Sequence, residues 1–62
     1  MYRTESREDY VNNTNLYNQR MDMLHNKLSS ASLGTKEGYQ RQLEQLSAEI
    51  DRFHDTYGAR FG

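Results

Sequence analysis

Large apolar residues recur along the second half of the chain at alternating steps of four and three positions. Such steps keep side chains on one face of an α-helix and are typical of a coiled-coil seam. The pattern predicts a helix over about 36–57, with Thr35 as its N-cap and Gly58 at its C-terminal end. Its predicted core residues are Tyr39, Leu43, Leu46, Ile50, Phe53 and Tyr57.

The first half of the chain carries the same spacing and predicts a helix over about 7–31. Ser6 precedes Glu8 and Asp9, which resembles a capping box with Asp in place of Glu. The run 12–15 is the weakest part of this helix, because Asn and Thr side chains compete for backbone groups. The predicted core residues of this half are Tyr17, Met21, Leu24 and Leu28.

Residues 32–35 remain to link the two helices, with Gly34 placed where a positive φ ends the first one. A link this short requires the helices to run antiparallel. The predicted fold is therefore all-α, an antiparallel two-helix coiled-coil hairpin. It forms one domain over 1–62, with a short tail at 58–62.

The register of the hairpin follows from matching the two seams. Layers whose residue numbers sum to 67 place Leu24 beside Leu43 and set smaller side chains against larger ones at several layers. The same register sets Arg20 opposite Glu49 at one edge. Because an exposed ion pair contributes only about 0.5 kcal/mol, this pair specifies the register more than it stabilises the fold.

The first helix carries apolar residues outside its seam, with Leu16 and Met23 on one flank and Val11 on the other. The apolar face of this helix is wider than the surface that the second helix can cover. The uncovered part needs a further neighbour. We therefore expect a homodimer, in which two hairpins form a four-helix bundle, or a protein partner on this flank. The predicted contact residues are Leu16, Arg20, Met23 and Lys27.

Composition narrows the functional classes. The absence of Cys excludes disulfides and thiolate metal sites, and a net charge of −1 does not indicate nucleic-acid binding. No apolar run approaches the about 20 residues of a membrane span, and no leader opens the chain. We expect a cytoplasmic protein without membrane contact.

Candidate catalytic groups are few. His25 and His54 lie on the order of 20 Å apart in the predicted register, too far to share a metal ion, and we expect both to be solvated. No Ser has a His–acid pair to activate it, and a two-helix ribbon offers no pocket that excludes water. We expect no metal, no cofactor, no small-molecule substrate and no catalysis by the chain alone.

One segment nevertheless resembles a catalytic family. Ser47, Glu49, Ile50 and Asp51 resemble the Ser-x-Glu-Leu-Asp signature of the small sporulation aspartyl-phosphate phosphatases. Members of that family are helical hairpins that dephosphorylate a response regulator. The resemblance implies that Ser47, Glu49 and Asp51 face the phospho-aspartate and position the attacking water. The partner would supply Mg²⁺ and the pocket.

A second resemblance concerns the chain length and the end "ARFG" at 59–62, which are similar to the plasmid repressor-of-primer proteins. Those are dimeric helical bundles that bind paired RNA loops. The resemblance implies an RNA-contacting outer face on the first helix, formed by Asn12, Asn13, Asn15, Gln19 and Arg20.

Three functional hypotheses follow. The residues themselves favour a non-catalytic regulatory module, an adaptor or inhibitor that works by helix–helix contact through the flank of the first helix. The first alternative is the response-regulator phosphatase, and the second is a dimeric RNA-binding bundle.

Overall fold

Two helices packed side by side make up the computed structural model, which describes residues 1–62. The first helix, α1, spans Arg7–Ser30, and the second, α2, spans Leu33–Phe61; there is no strand. The molecule is a rod with extents of 41 × 16 × 15 Å. The predicted all-α helical hairpin is confirmed. Neither helix combines the length and the apolar character needed to cross a bilayer.

The N-terminal end of α1 is capped by side chains. Ser6 has an extended backbone, and its Oγ accepts a hydrogen bond of 3.1 Å from the Asp9 amide. The Asp9 carboxylate in turn accepts one of 3.1 Å from the amide of Glu5. This confirms the predicted cap with Asp in place of Glu, although the return bond goes to the residue before the N-cap.

The polar run 12–15 does not interrupt α1. The Asn13 side chain points away from its own helix and binds the segment before it, while Thr14 Oγ1 donates to the Tyr10 carbonyl at 2.8 Å. The helix therefore tolerates these residues because their polar groups bind partners that leave the helical backbone bonds intact.

The link is shorter than predicted, because only Ala31 and Ser32 separate the helices instead of 32–35. Both residues have extended backbones, and Ser32 rather than Thr35 is the N-cap of α2. Thr35 lies in the first turn, where its Oγ1 donates to the Ser32 carbonyl at 3.1 Å. No glycine has a positive φ, so the prediction for Gly34 is wrong; this residue is helical.

The C-terminal end of α2 lies three residues beyond the predicted stop at Gly58, so most of the predicted tail is helical. The reason is aromatic packing. The ring of Phe61 stacks on Tyr57 with centroids 6.1 Å apart and lies 6.5 Å from Tyr10. These contacts outweigh the about 1 kcal/mol by which glycine disfavours a helix.

The core is small and largely aromatic. Tyr17, Leu46 and Phe53 are buried, and Phe53 is wholly enclosed. Phe53 lies between Tyr10 and Tyr17, at centroid distances of 5.3 and 5.1 Å. The predicted core residues Met21, Leu24, Ile50 and Tyr57, together with Tyr2 and Tyr10, pack around these three. Leu28, Tyr39 and Leu43, also predicted as core, are half-buried nearer the link.

Residues Met1–Glu5, which we call the strap, fold back over the hairpin. The ring of Tyr2 packs against that of Tyr17 at 4.7 Å. The Asn13 amide donates to the Arg3 carbonyl at 3.0 Å and to the buried Thr4 hydroxyl at 3.1 Å. The strap thus adds a third layer over the core. Tyr2 does not belong to the heptad spacing, and the sequence pattern gave no sign of this contact.

Candidate interaction surface

Two apolar side chains remain exposed on the outer side of α1. Leu16 is 42% exposed and Met23 is 58% exposed, although both lie in the middle of a helix that packs against another. Steps of four, three and four residues place Leu16, Arg20, Met23 and Lys27 along one helical face. We call these four residues the α1 strip. The structure leaves all of them exposed.

Part of the strip borders a shallow depression of about 150 Å³, lined by Arg20, Met23, Leu24 and Lys27. Leu24 packs on the core and connects the depression to the interior of the hairpin. Sequence reasoning assigned Leu24 to the core alone. Its position one turn after Arg20 indicates that it can also line a depression beside the strip. Leu16 does not line the depression and extends the strip toward the N-terminal end of α1.

Arg20 is held in a defined position at the edge of the strip. Its guanidinium lies 3.5 Å from the carboxylate of Glu49 on α2 and 6.0 Å from the centre of the Tyr17 ring. The ion pair confirms the predicted edge pair and the antiparallel register. Lys27 has no carboxylate within ion-pair distance. One cation of the strip is therefore oriented and the other is free.

Glu49 and Tyr17 form the polar boundary between the strip and the core. Burial, together with the nearby Glu49 carboxylate, raises the pKa of Tyr17 to about 12. The Tyr17 hydroxyl is buried without a hydrogen bond of ordinary geometry. Burial acts to raise the pKa of Glu49, but the Tyr17 hydroxyl, the amino-terminal ammonium and Arg20 outweigh it and lower this pKa. Glu49 is thus a structural anion within this network.

The three residues of the phosphatase resemblance do not share one face. Ser47 and Asp51 are exposed and lie one turn apart on α2. Glu49 points instead toward α1, where Arg20 and the amino terminus bind its carboxylate at 3.5 and 3.4 Å. A role for Glu49 on a phosphorylated partner would require it to leave both. No group of three or more His, Asp or Glu side chains is placed to hold a metal ion.

The two histidines have different environments. His54, expected to be solvated, is half-buried, and its Nδ1 shares a hydrogen bond of 2.6 Å with the Tyr10 hydroxyl. Its ring also lies edge-on to Phe53, at 5.5 Å. His25 is exposed, as expected, and borders a depression of about 270 Å³ together with Met21, Leu43, Glu44 and Ser47. His54 therefore belongs to the packing of the helix ends.

The residues of the RNA resemblance divide in the same way. Asn13 is occupied by the strap, whereas Asn12, Asn15 and Gln19 are exposed on α1. Arg20 is the one cation of this set, and Glu49 shares its charge. Amide side chains with a single cation make a weak surface for phosphates.

Comparisons with known proteins found no matching family model, no matching curated protein and no matching solved structure. The functional interpretation therefore depends on the surface itself. The α1 strip combines exposed apolar side chains with flanking cations around a shallow depression. Such a surface suits contact with another protein better than enclosure of a small molecule.

Proposed function

We propose that this chain is a small regulatory interaction module, an adaptor or an inhibitor, that binds a protein partner through the α1 strip. The observation that carries the proposal is the exposure of Met23, at 58%, beside a depression bordered by Arg20 and Lys27. Covering an apolar side chain stabilises a complex, while charges at the rim set its orientation. The module acts by occupying or presenting a helical surface.

The physical reason for a partner is the size of the hairpin. A chain of this length buries only about 60% of its unfolded surface, and α1 has no neighbour on the side of Leu16 and Met23. Fully burying a side chain of this size contributes roughly 1.5–3 kcal/mol. The flexible thioether of methionine also adapts to partner surfaces of different shape.

A second copy of the chain is the other way to cover the strip. Two hairpins joined along α1 would form the predicted four-helix bundle. Sedimentation velocity at micromolar concentration separates the two forms. A monomer mass at all concentrations leaves the strip available to a different protein, whereas a concentration-dependent dimer that Met23→Glu dissociates assigns the strip to self-association.

The test of the proposed function is a capture experiment with matched variants. Wild-type chain, the double variant Leu16→Glu and Met23→Glu, and the control Val11→Glu are immobilised and exposed to lysate of the source cells. Val11 is a suitable control because it is a 49% exposed apolar residue on the opposite flank of α1. Circular dichroism verifies that all three chains remain helical.

We expect the same protein to be retained by the wild type and by Val11→Glu and lost from the double variant. Titration with the purified partner should then show at least a tenfold weaker Kd for the double variant, because two glutamates replace the apolar contact. Equal retention by all three chains would show that the binding surface lies elsewhere.

A further inference from the structure

The two grooves along the hairpin differ in charge. The depression beside the α1 strip adjoins, across the Arg20–Glu49 ion pair, a second depression of about 330 Å³. The latter is lined by Met1, Gln45, Ala48, Glu49 and Arg52. Helical spacing places His25 on the opposite side of the α1 seam, in a groove that contains the acidic Glu44. We call the side that contains Arg20, Lys27 and Arg52 the basic side.

The positive charge of the basic side is only partly compensated within the chain. Glu49 is the only carboxylate that lines either of its depressions, and Arg20 and the amino terminus already bind it. Lys27 and Arg52 make no ion pair with any carboxylate. The net charge of −1 for the whole chain therefore conceals a locally cationic surface around the exposed Met23.

We infer that the α1 strip binds an amphipathic helix that carries acidic residues beside its apolar face. This inference rests on the proposed function and specifies the chemistry of the partner. An apolar side chain of the incoming helix enters the depression beside Met23, and carboxylates meet Arg20 and Lys27. Arg20 and Lys27 lie two helical turns apart, about 10.5 Å, so carboxylates seven residues apart on the partner helix match them.

Charge also disfavours a second copy as the occupant. In a twofold dimer built on the same strip, Arg20 and Lys27 of one copy would approach Arg20 and Lys27 of the other, and like charges at an interface oppose association. An acidic helix brings the complementary sign, and it leaves the Arg20–Glu49 ion pair and the strap in place.

The experiment uses the intact chain and two fluorescent helical peptides of equal length. Both peptides carry leucines along one face; one has glutamates and the other has lysines at the flanking positions, seven residues apart. Fluorescence anisotropy measures their Kd values for the wild type, for Met23→Glu, and for the charge-reversed variant Arg20→Glu with Lys27→Glu. The control is Lys36→Glu with Arg41→Glu, which makes the same change in net charge at exposed positions on α2.

We expect the wild type and the control to bind the glutamate peptide at least tenfold more tightly than the lysine peptide. The charge-reversed variant should prefer the lysine peptide, and Met23→Glu should weaken both complexes at least tenfold. Salt at about 1 M, where the Debye length is about 3 Å, should reduce the preference for the glutamate peptide.

The outcomes separate this inference from the proposed function. Equal binding of both peptides, lost in Met23→Glu, overturns the acidic partner and supports the strip as a docking surface. Binding that Met23→Glu leaves unchanged overturns the acidic partner and gives no support to the strip as a docking surface. The absence of binding to either peptide has the same meaning. Another outcome is that the chain binds phosphatidylserine vesicles more tightly than the glutamate peptide, in a way that depends on Met23. That result assigns the basic side to a membrane and overturns the acidic partner. Self-association that blocks the peptides assigns the strip to a second copy.

Discussion

The open half of the hairpin, where the chain ends meet, is held together differently from the closed half near the link. The open half contains three of the four buried residues, Thr4, Tyr17 and Phe53, while the fourth, Leu46, lies at the middle of α2. In the closed half the seam residues are half-buried, Leu33 is 89% exposed, and a Cβ added at Gly34 or Gly38 would meet no atom within 4 Å.

The difference arises from the number of layers. In the open half the rings of Tyr10, Tyr17 and Phe53 interleave between the helices, and the strap covers them from outside. The closed half is a ribbon of two helices without a third element. The α1 strip crosses the boundary, because Leu16 lies in the open half and Lys27 in the closed half. The strip thus runs from the more tightly packed half of the hairpin into the two-helix ribbon.

The largest expected difference is between truncations of the two halves. Phe53→Ala should cost about 3–5 kcal/mol, because it removes the one wholly enclosed ring. Leu43→Ala, at a half-buried position, should cost only about 1 kcal/mol. Urea unfolding followed by circular dichroism measures both. Equal losses would mean that the closed half is packed as tightly as the open half.

The second prediction concerns the strap. Asn13→Ala should cost about 1–2 kcal/mol, because it removes both hydrogen bonds to the strap and leaves the Thr4 hydroxyl without its donor. The matched control Asn12→Ala, at an exposed position in the same run, should change stability by less than about 0.5 kcal/mol. Nuclear Overhauser contacts between Tyr2 and Tyr17 should weaken in the Asn13 variant alone. Contacts of wild-type strength there would show that Asn13 does not hold the strap.

The heptad spacing predicted the hairpin and the pairing of Arg20 with Glu49, because a seam of large side chains has few ways to be covered. The cap at Ser6 was also readable, since it depends on residues next to one another in sequence. The α1 strip was also predicted, because Leu16 and Met23 are apolar residues that lie outside the seam. Its role in binding stays a prediction.

The contacts that sequence reasoning missed are those made between the chain ends. Tyr2 and Phe61 lie outside the heptad pattern, so their packing against Tyr17 and Tyr57 depends on how the folded ends meet. The extension of α2 past Gly58 has the same cause, because aromatic contacts override a local preference. The basic side could not be predicted from the sequence either, because its charge depends on which cations Glu49 contacts in the folded chain.

The third prediction concerns the buried hydroxyl of Tyr17. Its pKa is raised from the ordinary value of 10.0 to about 12, so the folded state holds this proton more tightly than the unfolded state does. The corresponding stability is fully present below pH 10 and is lost as the pH rises from 10.0 to about 12. Thermal unfolding across this range should show a smaller loss for Tyr17→Phe than for the wild type.

At neutral pH, Tyr17→Phe should change stability by less than about 1 kcal/mol, because removing a buried hydroxyl without a hydrogen bond of ordinary geometry offsets the loss of its interaction with Glu49. Tyr39→Phe is the control, because Tyr39 is only half-buried in the closed half. A pH profile of Tyr17→Phe that matches the wild type would place the alkaline sensitivity in other groups.

The smallest expected effect is at the glycines of the closed half. Gly38→Ala should stabilise the hairpin by about 0.5–1 kcal/mol, because the residue is helical and has open space around it. Gly34→Ala should stabilise less, since Gly34 lies in the first turn. Thermal melts of both variants measure the effect. A loss of stability in Gly38→Ala would contradict the open space around this residue.

The three methionines provide the most direct test of the α1 strip. Met23 is 58% exposed and Met1 is 51% exposed, whereas Met21 is half-buried against the core. Methyl NMR of the ¹³C-labelled chain with a soluble gadolinium chelate should broaden Met23 strongly and Met21 weakly, with Met1 between them because only 24% of its side chain, as distinct from the whole residue, is exposed. When the partner or the glutamate peptide is added, Met23 should become protected while the broadening of Met1 and Met21 stays unchanged. A Met23 signal that is as protected as Met21 in the free monomer, or still broadened in the complex, would contradict the proposed binding surface.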